Sequence, residues 1–280
     1  MEKSLKKYFL FFLGPTLAAF TIAFVVPFVA GVFLSFSHFT TMADVRWVGF
    51  SNYVRAFSNA DFINALGFSV LFTVVSVIVI NVAAFSLALL LTRGFRGTNV
   101  FRTMIFMPNL IGGIVLGYIW QFIINGFLSL FGVTITVDPK YGFWGMIILT
   151  NWQFIGYLMI IFIAGIQNIS IDILEAAKID GAGAFTVLRK IIVPLVMPSI
   201  TITLFMTITN SFKMFDQNLA LTAGAPGKRT AMIALDIYNT FYSRVGWEGV
   251  GQAKAMMFFV MVVLISLVQL SITRRREVTN

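Results

Sequence analysis

Apolar residues in this chain neither alternate nor recur at fixed intervals over most of its length; they run on. Six stretches contain no Asp, Glu, Lys or Arg: Phe9 to Phe36, Phe62 to Thr92, Thr103 to Val137, Tyr141 to Ser170, Ile191 to Phe212 and Ala255 to Thr273. A helix rises about 1.5 Å per residue and the hydrocarbon layer is about 30 Å thick, so roughly 20 apolar residues cross it once. Each stretch is long enough, and the pattern predicts six membrane-spanning helices. Barrel strands would alternate in and out over about ten residues, and these runs do not. Pro15, Pro27 and Pro108 fall inside apolar runs, where kinked or interrupted helices are expected because neighbouring helices satisfy the carbonyls a proline frees. Between the first two runs, "HFTTMADVRWVGFSNYVRAFSNADF" spaces aromatic residues among polar ones, which suits a short helix lying at the interface.

Composition agrees with the pattern. Of 280 residues, 59% are hydrophobic and 11% charged, against about 25% charged in a soluble domain. The opening "MEKSLKKY" and the run behind it have the order of a secretion signal. The run is too long for a signal's core and lacks a clear small-residue cleavage site, so it is read as the first retained span. Cysteine is absent, which excludes a disulfide frame, thiolate metal sites and thiol nucleophiles. No internal repeat is visible, and one membrane domain over 1–280 is the simplest organisation.

A formal charge of +9 raises nucleic acid as a partner, but the placement of the charges points elsewhere. Lys3, Lys6 and Lys7, then Arg93, Arg96 and Arg102, then Lys178, Arg189 and Lys190, then Arg274, Arg275 and Arg276 fall on tails and loops that share one side of a six-span chain. Basic residues beside span ends mark the cytoplasm, which predicts both termini inside and no nucleic-acid partner.

Catalytic chemistry is not apparent. In "TAGAPGKRT", Gly227 and Lys228 form the glycine-lysine pair of a phosphate loop, but Thr222 stands where that loop has its first glycine and Arg229 where it has Ser or Thr. A Gly/Pro turn on the outer side is the better reading. His38 has no clustered acidic or His partner and is read as an interfacial hydrogen-bonding residue. With no Ser/His/Asp set, paired carboxylates or metal-ligand cluster, neither an enzyme nor a bound cofactor is expected.

The stretch "ISIDILEAAKIDGAGAFTVLRKIIVPLVMP", Ile169 to Pro198, stands out because it is charged between two apolar runs. Ser170 can cap a helix whose early turns carry Asp172 and Glu175, where negative charge complements the helix dipole. At about 100° per residue, Ile173, Leu174 and Ala177 share one side and Asp172, Glu175 and Ile179 the other. Gly181 and Gly183 then permit a sharp turn before a second helix leads into the fifth span. The product is a helix-turn-helix projection on the cytoplasmic side. It is either a docking surface or a solvated loop that stabilises its own fold.

Within that stretch, "EAAKIDGAGAFTVLRKIIVPLVMP" resembles the EAA loop of permease subunits of bacterial ABC importers, with Glu175, Asp180, Gly181, Pro194 and Pro198 at the positions of that pattern. Four further segments resemble the carbohydrate-importer branch: "WVGFSNYVRAF", "FRTMIFMP", "IWQFIIN" and "FDQNLALTAGAPG". The chain departs from the pattern at Ser170, where proline is common, at Leu188, where phenylalanine is, and at Ala225, which replaces the second glycine of Gly-Gly-Pro. The resemblance implies an all-α membrane protein of six transmembrane helices, the type I ABC importer permease fold with a cytoplasmic coupling helix. It implies a second homologous permease, two cytoplasmic ATPase subunits that bind the ATP, an extracellular solute-binding protein and a lipid bilayer as partners. The implied coupling residues are Glu175, Ala176, Ala177, Asp180 and Gly181.

For relatives that bind sugar within the membrane, the resemblance maps contacts onto Gln153, Phe154 and Tyr157 of the fourth span and onto Thr207, Asn210, Ser211 and Met214 of the fifth. Aromatic faces can cover the C–H side of a pyranose while amides and hydroxyls bond its OH groups. Packing of the spans is the competing role for these seven. Lys213 and Asp216 are expected to pair at i and i+3 on a helix. An ion-coupled secondary transporter of a small polar solute is the alternative function; it would require buried ionisable residues, for which Asp216 is the one acidic candidate near a span.

Overall fold

The computed structural model describes residues 2–41 and 43–275, with residues 2–10 as backbone. Of the basic tails named above, Arg276 lies outside the described residues. In chain order the elements are α1 (Glu2–Phe20), a π-helical turn (Thr21–Val25), α2 (Val26–Ser35), β1 (Ser37–His38), β2 (Arg46–Trp47), α3 (Ser51–Phe57), α4 (Ala60–Leu91) and α5 (Thr98–Phe106). A 3-10 turn (Met107–Leu110) leads to α6 (Gly113–Ser129), α7 (Pro139–Gln167), α8 (Ile171–Ile179), α9 (Ala184–Val187), a second π-helical turn (Leu188–Ile192), α10 (Val193–Leu195) and α11 (Met197–Phe212). The chain closes with α12 (Asp216–Leu221), α13 (Ile233–Ser243) and α14 (Glu248–Arg274).

Four helices are long and apolar enough to cross a membrane unbroken: Phe11–Ser35, Ala60–Leu91, Pro139–Gln167 and Glu248–Arg274. The third and fifth expected spans are bent pairs, Thr98–Leu110 with Gly113–Ser129 at 101° and Ala184–Leu195 with Met197–Phe212 at 70°. Counting each pair as one span gives the expected six.

Proline explains most of the departures from straight helix. Pro27 and Pro194 each lie two residues beyond a π-helical turn, where Val26 N–H reaches back five residues to Thr21 O and Val193 N–H to Leu188 O. A proline removes the donor that the carbonyl four residues earlier would use, and the wider turn accommodates the loss. Pro108 sits in the 3-10 turn that precedes the 101° bend, with Ile111 and Gly112 extended. Pro15 differs from the expectation, because α1 runs through it without a break.

The chain forms two compact units. The first comprises Met1–Ala60 and Ile237–Phe259. Its two-residue hairpin pairs Ser37 with Trp47 and His38 with Arg46, strands too short to leave an alternating pattern in the sequence. The short interfacial helix expected there is α3. Phe50 just before it and its own Val54 and Phe57 are exposed along one stripe, while Asn52 is buried and donates to Ser35 O at 3.0 Å and Ser37 O at 2.8 Å. Arg55 lies over the Trp247 ring at 4.6 Å.

The second unit comprises Asp61–Asp236 and Val260–Asn280 and holds both functional stretches. One apolar cluster joins Ile80, Ala84, Ala88 and Leu91 of α4 to Leu158, Met159, Phe162 and Ile163 of α7, with Ile169 and Val196 at its edge. A second gathers Phe72, Ile135, Met146, Ile147, Leu149, Met214, Leu221 and Met232. Small residues set the closest approaches. A Cβ on Gly156 would collide with the backbone of Ile105 and Phe106, and one on Gly117 with Ala220, so α7 presses on α5 and α12 on α6.

Candidate functional site

The "TAGAPGKRT" segment proves to be a built turn. Asn218, fully buried on α12, donates through Nδ2 to Thr230 O at 2.8 Å and accepts from Met232 N–H at 2.9 Å, stitching the far end of the loop to the helix that precedes it. Thr230 Oγ1 donates to Ala225 O at 2.7 Å. Gly224 and Gly227 take positive φ, as do Ala223 and Lys228. The lysine of the glycine-lysine pair is engaged with the start of α4, its Nζ 2.9 Å from Asp61 Oδ2.

The projection has the expected form. Ser170 Oγ accepts from Asp172 N–H at 3.3 Å and caps α8. At the other end Gly181 has φ +75°, its N–H donates to Lys178 O at 3.0 Å and Ala182 N–H donates to Ala177 O at 2.9 Å. These two bonds form the Schellman closure of a helix, which calls for a residue without a Cβ at the left-handed position. Ala177 is buried and Leu174 packs on the first apolar cluster, whereas Ile173, read on the same side, is 44% exposed, so the inner face is narrower than the sequence reading. Glu175, Ala176 and Asp180 are exposed. So are four large apolar side chains, most of all Ile171 at 70%, Ile179 at 87% and Phe185 at 72%, with Ile173 less so.

The seven residues mapped on the fourth and fifth spans divide. Phe154, Thr207, Asn210 and Ser211 line one crevice with Ile80 and Leu158. Its volume is ≈ 10 Å³, about one water molecule, so the spans are closed on one another here. Tyr157 OH lies 3.7 Å from Met206 Sδ on α11. Gln153 turns elsewhere: its Nε2 donates to Ile111 O at 3.2 Å and its Oε1 accepts from Gln217 Nε2 at 2.9 Å. That amide satisfies a carbonyl freed by the break between α5 and α6, as non-helical backbone at membrane depth requires. Met214 is buried in the second cluster, with its Sδ 3.6 Å from Thr150 Oγ1.

Sequence reasoning missed Asn81 of α4, whose Nδ2 donates to Thr207 Oγ1 at 3.1 Å. An amide in the middle of the second apolar run was the available signal. The expected Lys213–Asp216 pair does not form. The helix it needed ends at Phe212, Met214 and Phe215 are non-helical, and no ion pair joins the two among the described residues.

Bent helical spans, a polar crevice between them and a charged helix pair projecting from their ends suit a membrane transport component. Residues 84–278 match the family model of the binding-protein-dependent transport system inner membrane component, and the chain belongs to that family. It is 41% identical to the probable starch degradation products transport system permease protein AmyD of Thermoanaerobacterium thermosulfurigenes, over 95% of this chain and 94% of that protein. It is 28% identical to the trehalose/maltose transport system permease protein MalF of Thermococcus litoralis, over 94% and 92%. A crystal structure of a bacterial ABC transporter that imports the acidic polysaccharide alginate contains a chain of the same fold, with a TM-score of 0.83, 21% identity and 98% of each chain covered. The protein is a multi-pass cell-membrane permease.

Proposed function

We propose that this permease forms, with a second homologous permease, the pathway by which a sugar or short oligosaccharide crosses the cell membrane. Products of starch degradation are the first class to test. The observation that carries the reading is the end-to-end 41% identity with a permease named for such products. An extracellular solute-binding protein delivers the sugar, and two cytoplasmic ATPase subunits bind and hydrolyse ATP, so this chain needs no catalytic group or cofactor of its own. Both termini lie in the cytoplasm, and residues 1–280 act as one permease domain.

Phe154, Thr207, Asn210 and Ser211 face the sugar when the crevice opens, with Tyr157 beside them. Gln153 and Met214 hold the frame around that site. Glu175, Ala176, Ala177, Asp180 and Gly181 meet the ATPase, together with the exposed Ile179. The link between the two places is apolar: Ile169 and Leu174 at the root of the projection belong to the same packed cluster as Ile80, Phe154 and Leu158 at the crevice. Well-packed side chains resist deformation, so movement of α8 is passed to α4 and α7 instead of being absorbed.

The test is reconstitution of the complete complex in liposomes with its binding protein and labelled maltotriose. Uptake should require ATP inside and the binding protein outside. Uptake driven by an ion gradient without ATP would establish the secondary-transporter alternative instead.

A further inference from the structure

Asn81 lies on α4 beside Ile80, which lines the crevice. Its Nδ2 donates twice, to Val77 O at 2.8 Å and to Thr207 Oγ1 at 3.1 Å. Thr207 Oγ1 in turn donates to Thr203 O at 2.7 Å, so both amide hydrogens and the hydroxyl hydrogen are committed, and the direction of the Asn81–Thr207 bond is fixed. The Asn81 Oδ1 is different: it is shielded from solvent and has no hydrogen-bond partner among the described residues. A buried acceptor left unpaired costs about 1–3 kcal/mol. The same helix carries two more such atoms, Thr73 Oγ1 and Ser76 Oγ, on residues 4% and 0% exposed. Helical Ser and Thr ordinarily return their hydroxyls to a carbonyl one turn back, as Ser86 does to Val82 O at 2.7 Å.

We propose that α4 supplies a third wall of the sugar path, with Asn81 Oδ1 accepting a hydroxyl of the passing sugar and Asn81 Nδ2 holding Thr207 in place beside it. The inference rests on the sugar reading above and adds a helix that the resemblance did not point to. In the closed state the acceptor is unpaired beside Thr207, which lines the crevice; when α7 and α11 part, a sugar O–H reaches it. A site that leaves such an atom unsatisfied discriminates against a ligand lacking the matching hydroxyl.

The experiment compares wild type, Asn81→Leu and Asn81→Ser in the reconstituted complex, with uptake of maltotriose and of singly deoxygenated maltotrioses normalised to the amount of assembled complex. Asn81→Leu should raise KM for maltotriose about tenfold and erase the preference over one deoxy analogue, while Asn81→Ser keeps part of both. A KM and an analogue preference equal to wild type in both variants would overturn the proposal. Because the chain has no cysteine, Asn81→Cys gives a second reading that does not depend on the leucine variant assembling. Its reaction with a small membrane-permeant maleimide in the working complex should slow when maltotriose and binding protein are present; a rate indifferent to sugar, or no reaction in any state, counts against the third wall. Failure of wild type to take up maltotriose with ATP and binding protein overturns the sugar reading itself and is distinct from either result.

Discussion

At the crevice, side chains that sit inside apolar spans are polar, whereas on the projection side chains that sit among charges are apolar and exposed. Thr207 and Ser211 are buried on α11, and the half-buried Asn81 of α4 keeps an acceptor without a partner among the described residues. Ile179 and Phe185 stand out from α8 and α9 at 87% and 72% exposure. Each place departs from what its own solvent favours, and in opposite directions. A polar atom unpaired in an apolar span is completed by a polar ligand, and an apolar side chain left in water by a protein surface. The difference teaches that the permease meets two kinds of partner at two depths, with one apolar cluster between them.

That comparison can be broken first by orientation, where the outcome is all or none. The projection must be cytoplasmic for its partner to be an ATPase. A single cysteine at the exposed Asn99, in the first turn of α5, should be shielded from an impermeant thiol reagent in intact cells, while cysteines at the exposed Ser51 and Arg229 should label. Labelling of Asn99→Cys from outside would place the projection on the wrong side.

Next in size are two glycines. Gly156→Val puts a branched side chain against the backbone of Ile105 and Phe106, which cannot turn aside. Overpacking of this kind costs about 1–3 kcal/mol and sometimes more, and the amount of copurifying complex should fall severely. Gly181→Arg places a Cβ at φ +75°, a conformation that costs about 1–2 kcal/mol for residues other than glycine, and nothing else crowds that position. The chain should therefore still assemble its membrane part, while sugar-stimulated ATP hydrolysis falls by about tenfold or more. The pair separates damage to the frame from damage to the docking surface.

Smaller effects sharpen the contrast between the two places. Glu175→Lys reverses an exposed charge on the projection and should reduce stimulated hydrolysis several-fold, with KM for sugar unchanged. Asn210→Ala removes a neutral amide from the crevice and should raise KM about two- to tenfold, with ATP hydrolysis in the absence of sugar as in wild type. If Glu175→Lys moved KM alone, or Asn210→Ala moved coupling alone, the two places would have exchanged roles.

Periodicity and charge decided the broad plan before any packing was known. Long charge-free runs require helices because only a helix satisfies every backbone group of a single segment in lipid, and of the three prolines read as kinks, Pro27 and Pro108 mark where those helices deform while Pro15 does not. The cap at Ser170, the inner face of Leu174 and Ala177 and the turn at Gly181 were also legible, because capping and left-handed closure are local chemistry. What only the tertiary structure decided is which polar residues share a space. Gln153 and Phe154 are neighbours in sequence, yet the 101° break at Pro108 leaves a carbonyl on Ile111 that captures Gln153, while Phe154 faces the crevice. Lys213 and Asp216 lost their expected pairing because the helix stops at Phe212. Asn81 gained its place because α4 happens to cross α11 at Thr207, 126 residues further along the chain, a juxtaposition set by long-range packing that no spacing along the chain encodes.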